Sequence, residues 1–138
     1  MKVRFLKSAM LIAITGLSLF FTEQPKAQTV TGTKIYGVFN SAKWCPVCKA
    51  NGARFMQEVV PAVQDLGVSF VTNDLTNHAS IQQSEKVLSA DNLRSAVKGI
   101  KSTGVLILVD NSSKKVLKTI SLAEPTDKLI AEIKASLQ

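Results

Sequence analysis

The chain has 138 residues, of which 46% are hydrophobic and 20% are charged, and its formal net charge is +7. This length suits one globular domain, which can bury roughly two-thirds of the surface of its unfolded chain. The basic residues are scattered, and the six Phe, one Tyr and one Trp do not alternate with them in a stripe. The composition therefore argues against nucleic-acid binding.

The first 27 residues have the pattern of a secretory signal. Three basic residues precede an apolar run over residues 9–21, which is short for a membrane span. We expect cleavage after Ala27, with an uncleaved membrane anchor as the alternative. The segment carries four basic residues and one acidic residue, so cleavage lowers the net charge from +7 to +4. We expect residues 28–138 to reach the bacterial periplasm or the extracellular space.

The only two cysteines lie three positions apart in Trp44-Cys45-Pro46-Val47-Cys48-Lys49. This motif follows the apolar run Ile35–Phe39, which predicts a strand buried on both faces. If a helix begins at Cys45, both sulfurs lie on one side of its first turn, with Cβ atoms roughly 5–6 Å apart. A disulfide needs Cα atoms roughly 4.4–6.8 Å apart, so the same backbone accommodates the dithiol and the disulfide.

Three uses of this cysteine pair remain open on spacing alone: redox chemistry, a shared metal or cluster, and an inert pair. As a staple the pair is poorly placed, because closing a four-residue loop gains about 2 kcal/mol, against about 4.7 for 100 residues. Structural zinc needs four Cys or His ligands, and His78 is the only histidine. We therefore expect no metal within one chain, and a metal or cluster would need cysteines from two chains.

The residues around the pair favour redox chemistry. Cys45 would lie at a helix N-terminus, where free N–H groups and the macrodipole stabilise an anion. Pro46 suits the first turn because it lacks an N–H, and Lys43 and Lys49 add positive charge as electrostatic support. We expect these features to hold the pKa of Cys45 below that of a free thiol. Cys48, one turn further along, is expected to be less exposed and to act as the resolving thiol.

The rest of the chain alternates helices and strands. The motif helix should continue to about Leu66, kinked at Pro61 and ended by Gly67. Its predicted core face consists of Phe55, Met56, Val59, Val63 and Leu66. The remaining predictions are loops at 40–43 and 73–77, strands at 68–71, 105–109 and 116–121, helical spacing over 81–100, and a last helix from Pro125. The order predicts an α/β fold with a mixed central sheet of about four strands flanked by helices.

A Trp-Cys-x-x-Cys-Lys motif between an apolar strand and a helix resembles the active site of thioredoxins. Its Cys-Pro-x-Cys form is closer to glutaredoxins and the oxidative members of the same superfamily. The resemblance spans about residues 34–137 and implies a thioredoxin-like fold with Cys45 as nucleophile and Cys48 as resolving thiol. It implies no cofactor beyond the redox-active disulfide. The substrate surface would be lined by Trp44, Pro46, Thr103 and Gly104.

Two departures from the family pattern modify these expectations. Gly104 falls where the family has a cis-proline facing the cysteines, and we expect the Thr103–Gly104 bond to be trans, because a cis bond before a non-proline costs about 2.5–4 kcal/mol. In the family the residue before that proline pairs its backbone with an extended substrate, a role that Thr103 would inherit. The family's proline also helps to keep metals off the cysteines, so its loss keeps the metal-binding alternative open.

The second departure is Phe39, which stands six residues before Cys45, where thioredoxins bury an acid that handles the proton of the resolving thiol. We therefore expect Cys48 to lose its proton to water or to the substrate thiolate, and the mixed disulfide to be released slowly.

The sequence thus predicts an exported thiol–disulfide oxidoreductase that exchanges disulfides with protein substrates and with an unidentified redox partner protein. The alternatives are a metal- or iron–sulfur-binding thioredoxin-like protein and a redox-inert interaction module. Contact with a membrane is expected only if the N-terminal segment stays uncleaved.

Overall fold

The computed structural model describes residues 32–138. The predicted signal segment, residues 1–27, lies outside this part of the chain. No helix within residues 32–138 is both long enough and apolar enough to cross a membrane.

Four strands form one mixed sheet in the order β2-β1-β3-β4. The strands are β1 (Ile35–Ser41), β2 (Val68–Asp74), β3 (Val105–Asp110) and β4 (Val116–Ser121). Strand β1 is parallel to β2 and antiparallel to β3, and β3 is antiparallel to β4. The predicted mixed sheet with a parallel portion and an antiparallel edge hairpin is confirmed.

Helices cover both faces of the sheet. They are α1 (Pro46–Arg54), α2 (Val60–Val63), α3 (His78–Ala90), α4 (Arg94–Val97) and α5 (Thr126–Ala135). Successive residues of β1 point to opposite faces, so Phe39 joins a core cluster with residues of α2 and α5, whereas Val38 joins one with residues of α3 and α4. Burial on both faces explains why the strands β1 and β3 are continuous apolar runs.

The helix that follows the cysteine motif is interrupted just before Pro61. A π-helical turn, Phe55–Val59, joins α1 to α2, and the N–H of Val60 donates to the carbonyl of Phe55, five residues back. Proline has no N–H to continue an ordinary helical ladder, and π-helical turns are one of the recognised causes of a kink. The π-helical interruption thus lies directly before Pro61, where the sequence predicts a kink.

Two of the five side chains predicted on the core face of this helix are exposed. Phe55 is 1% exposed, but Met56 is 53% exposed and Leu66 is 40% exposed, so their predicted place on the core face is wrong. Met56 directly follows the buried Phe55 and points about a quarter of a turn away from it around the helix, and Leu66 is the last residue of the helical segment. A 3₁₀ turn, Gln64–Leu66, then leads to Gly67, which ends the helix in the left-handed conformation at φ 88°.

Phe55→Ala and Met56→Ala should differ sharply in their effect on the free energy of unfolding. The ring of Phe55 lies 5.6 Å from that of Phe39 and 5.7 Å from that of Phe70, so its removal leaves a cavity that costs about 3–5 kcal/mol. Loss of the exposed Met56 side chain should change the value by no more than about 0.5 kcal/mol. Urea denaturation measures both, and equal losses would contradict the burial of Phe55 and the exposure of Met56.

Candidate redox site

Cys45 caps the N-terminus of α1. Its backbone is extended, at φ −74° and ψ 116°, and Pro46 occupies the first turn of the helix. The Sγ atom of Cys45 accepts a hydrogen bond from the N–H of Cys48 at 3.1 Å. An acceptor in this position is stabilised by the free N–H groups and the positive end of the helix dipole.

Cys45 and Cys48 form a disulfide with their Cα atoms 5.3 Å apart, within the range that a disulfide needs. Cys45 is only 1% exposed, whereas Cys48 is partly buried and packs against the core on the α1–α5 side. The expectation that Cys48 would be the less exposed cysteine is therefore wrong. The cause is the backbone at Gly104, which packs so closely over Cys45 that an added Cβ would lie 3.3 Å from its Sγ atom.

Gly104 has φ 71°, the left-handed region that favours glycine. Its N–H donates to the carbonyl of Asn40 at 2.8 Å, and its own carbonyl accepts from the N–H of Leu122 at 2.9 Å. A Cβ at this position would lie 2.7 Å from the Cβ of Val47. Residues 32–138 contain no cis peptide bond, so the Thr103–Gly104 bond is trans, as predicted.

Thr103 is partly buried beside this contact. No hydrogen bond between backbone groups in residues 32–138 uses its N–H or its carbonyl. Such groups are the ones that an extended peptide needs when it adds to the edge of a structure by main-chain pairing.

Trp44 is 58% exposed, and its indole N–H donates to the carbonyl of Thr76 at 3.2 Å. Thr76 also accepts from the backbone N–H of Lys43 and donates to Asp74. These bonds from Thr76 hold the pKa of Asp74 below its usual range, with the charge of Lys43 as a smaller cause. The carboxylate of Asp74 therefore offsets part of the positive charge that Lys43 was expected to bring to Cys45.

The other expected site residues lie at the surface or on the facing loop. Pro46 and Lys49 are exposed on the first turns of α1, and the N–H of Lys49 donates to the carbonyl of Cys45. Of the expected site residues, the structure joins Cys45 to Cys48 and brings Gly104 against Cys45.

No carboxylate is buried among the described residues. Phe39 is 8% exposed, and the buried polar side chains in residues 32–138 are those of Asn40, Asn73 and Ser84. The position six residues before Cys45, where thioredoxins bury an acid, is therefore apolar in the structure, as the sequence indicates. The described part of the chain also has no group of three or more His, Cys, Asp or Glu side chains arranged to hold a metal ion.

Sequence reasoning missed Asn40 and Asn73 as parts of the site. The sequence predicts both in loops, but both lie in strands, with Asn40 0% and Asn73 6% exposed. A polar residue at the end of an apolar run normally marks a loop, and only the tertiary packing shows that these two amides are buried beside the Gly104 segment.

No protein-family model and no curated protein matches the chain. It is similar to a solved thioredoxin from Malassezia sympodialis, at 22% identity and a TM-score of 0.51, over 80% of this chain and 84% of that one. It is similar to a thiol:disulfide interchange protein of the thioredoxin family from Chlorobium tepidum, at 20% identity and a TM-score of 0.52, over 76% and 81%. It also resembles the DsbF of MTB, at 18% identity and a TM-score of 0.51, over 76% and 82%.

The described chain therefore has the thioredoxin-like α/β fold, with a close Cys45–Cys48 pair at the start of its first helix. The resemblance that the motif indicated is confirmed at the level of the fold.

Gly104→Ala should lower the free energy of unfolding by more than about 1–2 kcal/mol, the cost of the left-handed conformation for a residue with a Cβ, because the new methyl group also meets Val47. Gly99→Ala is the matched control, since no atom lies within 4 Å of its added Cβ, and it should change stability far less. Thermal or urea unfolding measures both variants.

Gly104→Pro, which introduces the residue of the wider family, should also destabilise the protein. Proline cannot adopt a positive φ and has no N–H, and an unpaired carbonyl at Asn40 costs about 1–3 kcal/mol. A gain in stability for this variant would contradict the positive φ of Gly104 and its hydrogen bond to the carbonyl of Asn40.

Proposed function

We propose that this protein is an exported thiol–disulfide oxidoreductase that exchanges disulfides with protein substrates. The observation that carries the proposal is the Cys45–Cys48 couple at the N-terminus of α1, closed across a Cα distance of 5.3 Å. The thioredoxin-like fold supports the same class of reaction.

In the reducing direction, the thiolate of Cys45 attacks one sulfur of a substrate disulfide. A mixed disulfide to Cys45 forms and the other substrate sulfur leaves as a thiolate. Cys48 then loses its proton and attacks Cys45 Sγ, which closes the Cys45–Cys48 disulfide and releases the second substrate thiolate. The substrate gains two electrons and the cysteine pair loses two, and a partner protein must reverse the exchange to restore the dithiol.

The roles of the two cysteines follow from the stabilisation of charge. Cys45 Sγ accepts the N–H of Cys48 at 3.1 Å, and the same bond is available to the Cys45 thiolate. A more stable thiolate is populated at neutral pH and is also a better leaving group when the mixed disulfide is resolved.

The substrate surface would be formed by Trp44 and Pro46 on one side and Thr103–Gly104 on the other. The fixed indole of Trp44 supplies an apolar wall, and the unpaired backbone of Thr103 supplies main-chain hydrogen-bonding groups. A polypeptide that lies extended over the disulfide would use both.

Cys48→Ser should trap a mixed disulfide between Cys45 and a substrate protein such as insulin, whereas Cys45→Ser should form none and should lose insulin reduction. Non-reducing electrophoresis with mass spectrometry identifies the trapped cysteine. Cys48 is the more exposed cysteine in the disulfide form, so the opposite assignment of roles is the one to test. A mixed disulfide that forms on Cys48 in Cys45→Ser, and none on Cys45 in Cys48→Ser, would overturn the proposed roles. Colour or bound metal in the anaerobically purified protein, without insulin reduction, would favour the metal-binding alternative.

The pKa of Cys45 in the reduced protein should lie below that of a free thiol, because the helix N-terminus stabilises the thiolate. Thiolate absorbance followed against pH measures it, with Cys48→Ser used to isolate the Cys45 signal. Lys49→Met should raise this pKa more than Lys43→Met, since Asp74 already offsets the charge of Lys43. A Cys45 pKa at or above the value of a free thiol would contradict the proposed nucleophile.

Export of the protein rests on the basic and apolar pattern of the first 27 residues. Expression of the full chain in a bacterium should yield a periplasmic form that begins at Gln28. Fractionation and N-terminal sequencing measure this, and a full-length product in the membrane fraction would favour the uncleaved anchor.

A further inference from the structure

The amide of Asn40 is buried at the end of β1 with every polar group of its side chain bonded. Its Nδ2 donates to the carbonyl of Ile100 at 2.8 Å and to the carbonyl of Ser102 at 3.2 Å. The Oδ1 atom accepts from Nδ2 of Asn73 at 2.8 Å. Because carbonyls only accept hydrogen bonds, the two neighbouring carbonyls fix which end of the Asn40 amide faces them.

The backbone of the same residue completes the arrangement. The carbonyl of Asn40 accepts the N–H of Gly104 at 2.8 Å. One residue therefore binds the chain at positions 100, 102 and 104, on both sides of Thr103. The segment that these bonds hold is the one that covers Cys45, since an added Cβ on Gly104 would lie 3.3 Å from Cys45 Sγ.

We propose that Asn40, oriented by Asn73, is a positioning residue that holds the backbone of Thr103 at a fixed distance from Cys45 for pairing with an extended substrate. This inference rests on the proposed exchange reaction. Gly104 does not restrict its own backbone as a proline would, so the neighbouring bonds from Asn40 supply the restraint. Asn73 acts through Asn40, because the hydrogen bond from Asn73 Nδ2 to Asn40 Oδ1 keeps the side-chain amide of Asn40 from exchanging its oxygen and nitrogen positions.

Asn40→Asp tests the proposal with two substrates, a disulfide-containing peptide and bis(2-hydroxyethyl) disulfide. Only the peptide has a backbone to pair with Thr103. The introduced carboxylate repels the carbonyls of Ile100 and Ser102, so the ratio of kcat/KM for the peptide to that for the small disulfide should fall about 10- to 100-fold at pH 8. A variant with merely reduced stability would lose both activities together and leave the ratio unchanged.

The pH dependence of this ratio adds a signature that a structural role does not predict. Burial raises the pKa of a carboxyl group, and its protonated form can donate one hydrogen bond to a carbonyl. The ratio for Asn40→Asp should therefore recover in part between pH 8 and pH 5, whereas the wild-type ratio should stay constant. The ratio cancels the ionisation of the cysteines, which affects both substrates.

Asn111→Asp is the matched control. Its Nδ2 donates to the carbonyl of Thr33 at 2.8 Å, a bond of the same kind at the opposite end of β1, and the substrate ratio should be unchanged. Asn73→Ser is the second, milder variant, and it should lower the ratio in the same direction by a smaller factor.

An unchanged ratio in either Asn40→Asp or Asn73→Ser would overturn the positioning role while leaving the exchange reaction intact. Absence of exchange with both substrates in the wild-type protein would instead overturn the proposed function itself.

Discussion

The hydrogen bond from the N–H of Gly104 to the carbonyl of Asn40 holds together the parts on which the redox site depends. It joins the segment that enters β3 to the end of β1, just before the loop that delivers Cys45. The carbonyl of Gly104 is in turn bonded to Leu122, at the end of β4. Three chain segments that are remote in sequence thus meet over the first turn of α1. A residue with a side chain at Gly104 would meet both Val47 and Cys45, so this close approach also decides how far the disulfide is covered.

In the proposed exchange, the surroundings of the cysteine pair decide where its protons can go. Phe39 packs against Phe55 beneath the motif, and no buried carboxylate is present among residues 32–138. Burial in apolar surroundings disfavours a thiolate, whereas the N-terminus of α1 favours one at Cys45. Both effects act on Cys45, which is 1% exposed, whereas Cys48 is partly buried and packs against the core. In the proposed reaction the helix N-terminus therefore has to outweigh burial at Cys45, and Cys48 has to lose its proton with no buried carboxylate among residues 32–138 to accept it.

The arrangement of strands and helices was predictable because it is encoded in local patterns. The apolar run Val105–Val109, the turn after it and the Cys-Pro-x-Cys helix start each depend on neighbouring residues alone. The errors have tertiary causes. Met56 is exposed because no other element of the fold covers its side chain, and Cys45 is covered because a segment almost 60 positions further along packs over it. Asn40 looks like a loop residue in the sequence, because the three partners of its side chain, Ile100, Ser102 and Asn73, are all remote from it along the chain.

A proline in place of Gly104 would restrict the site by covalent geometry, whereas the amide network restricts it through contacts with the rest of the fold. Asn73 belongs to β2, and Ile100 packs against the core cluster formed with α3 and α4. The position of Thr103 therefore depends on packing on the face of the sheet opposite to α1. Because Asn40 and Asn73 are almost fully buried, water does not compete for their hydrogen bonds, and each such bond contributes about 0.5–1.5 kcal/mol. The amide network thus connects the packing around α4, through the carbonyl of Ile100, to the backbone beside the disulfide, a connection between the two faces that a proline ring would not provide.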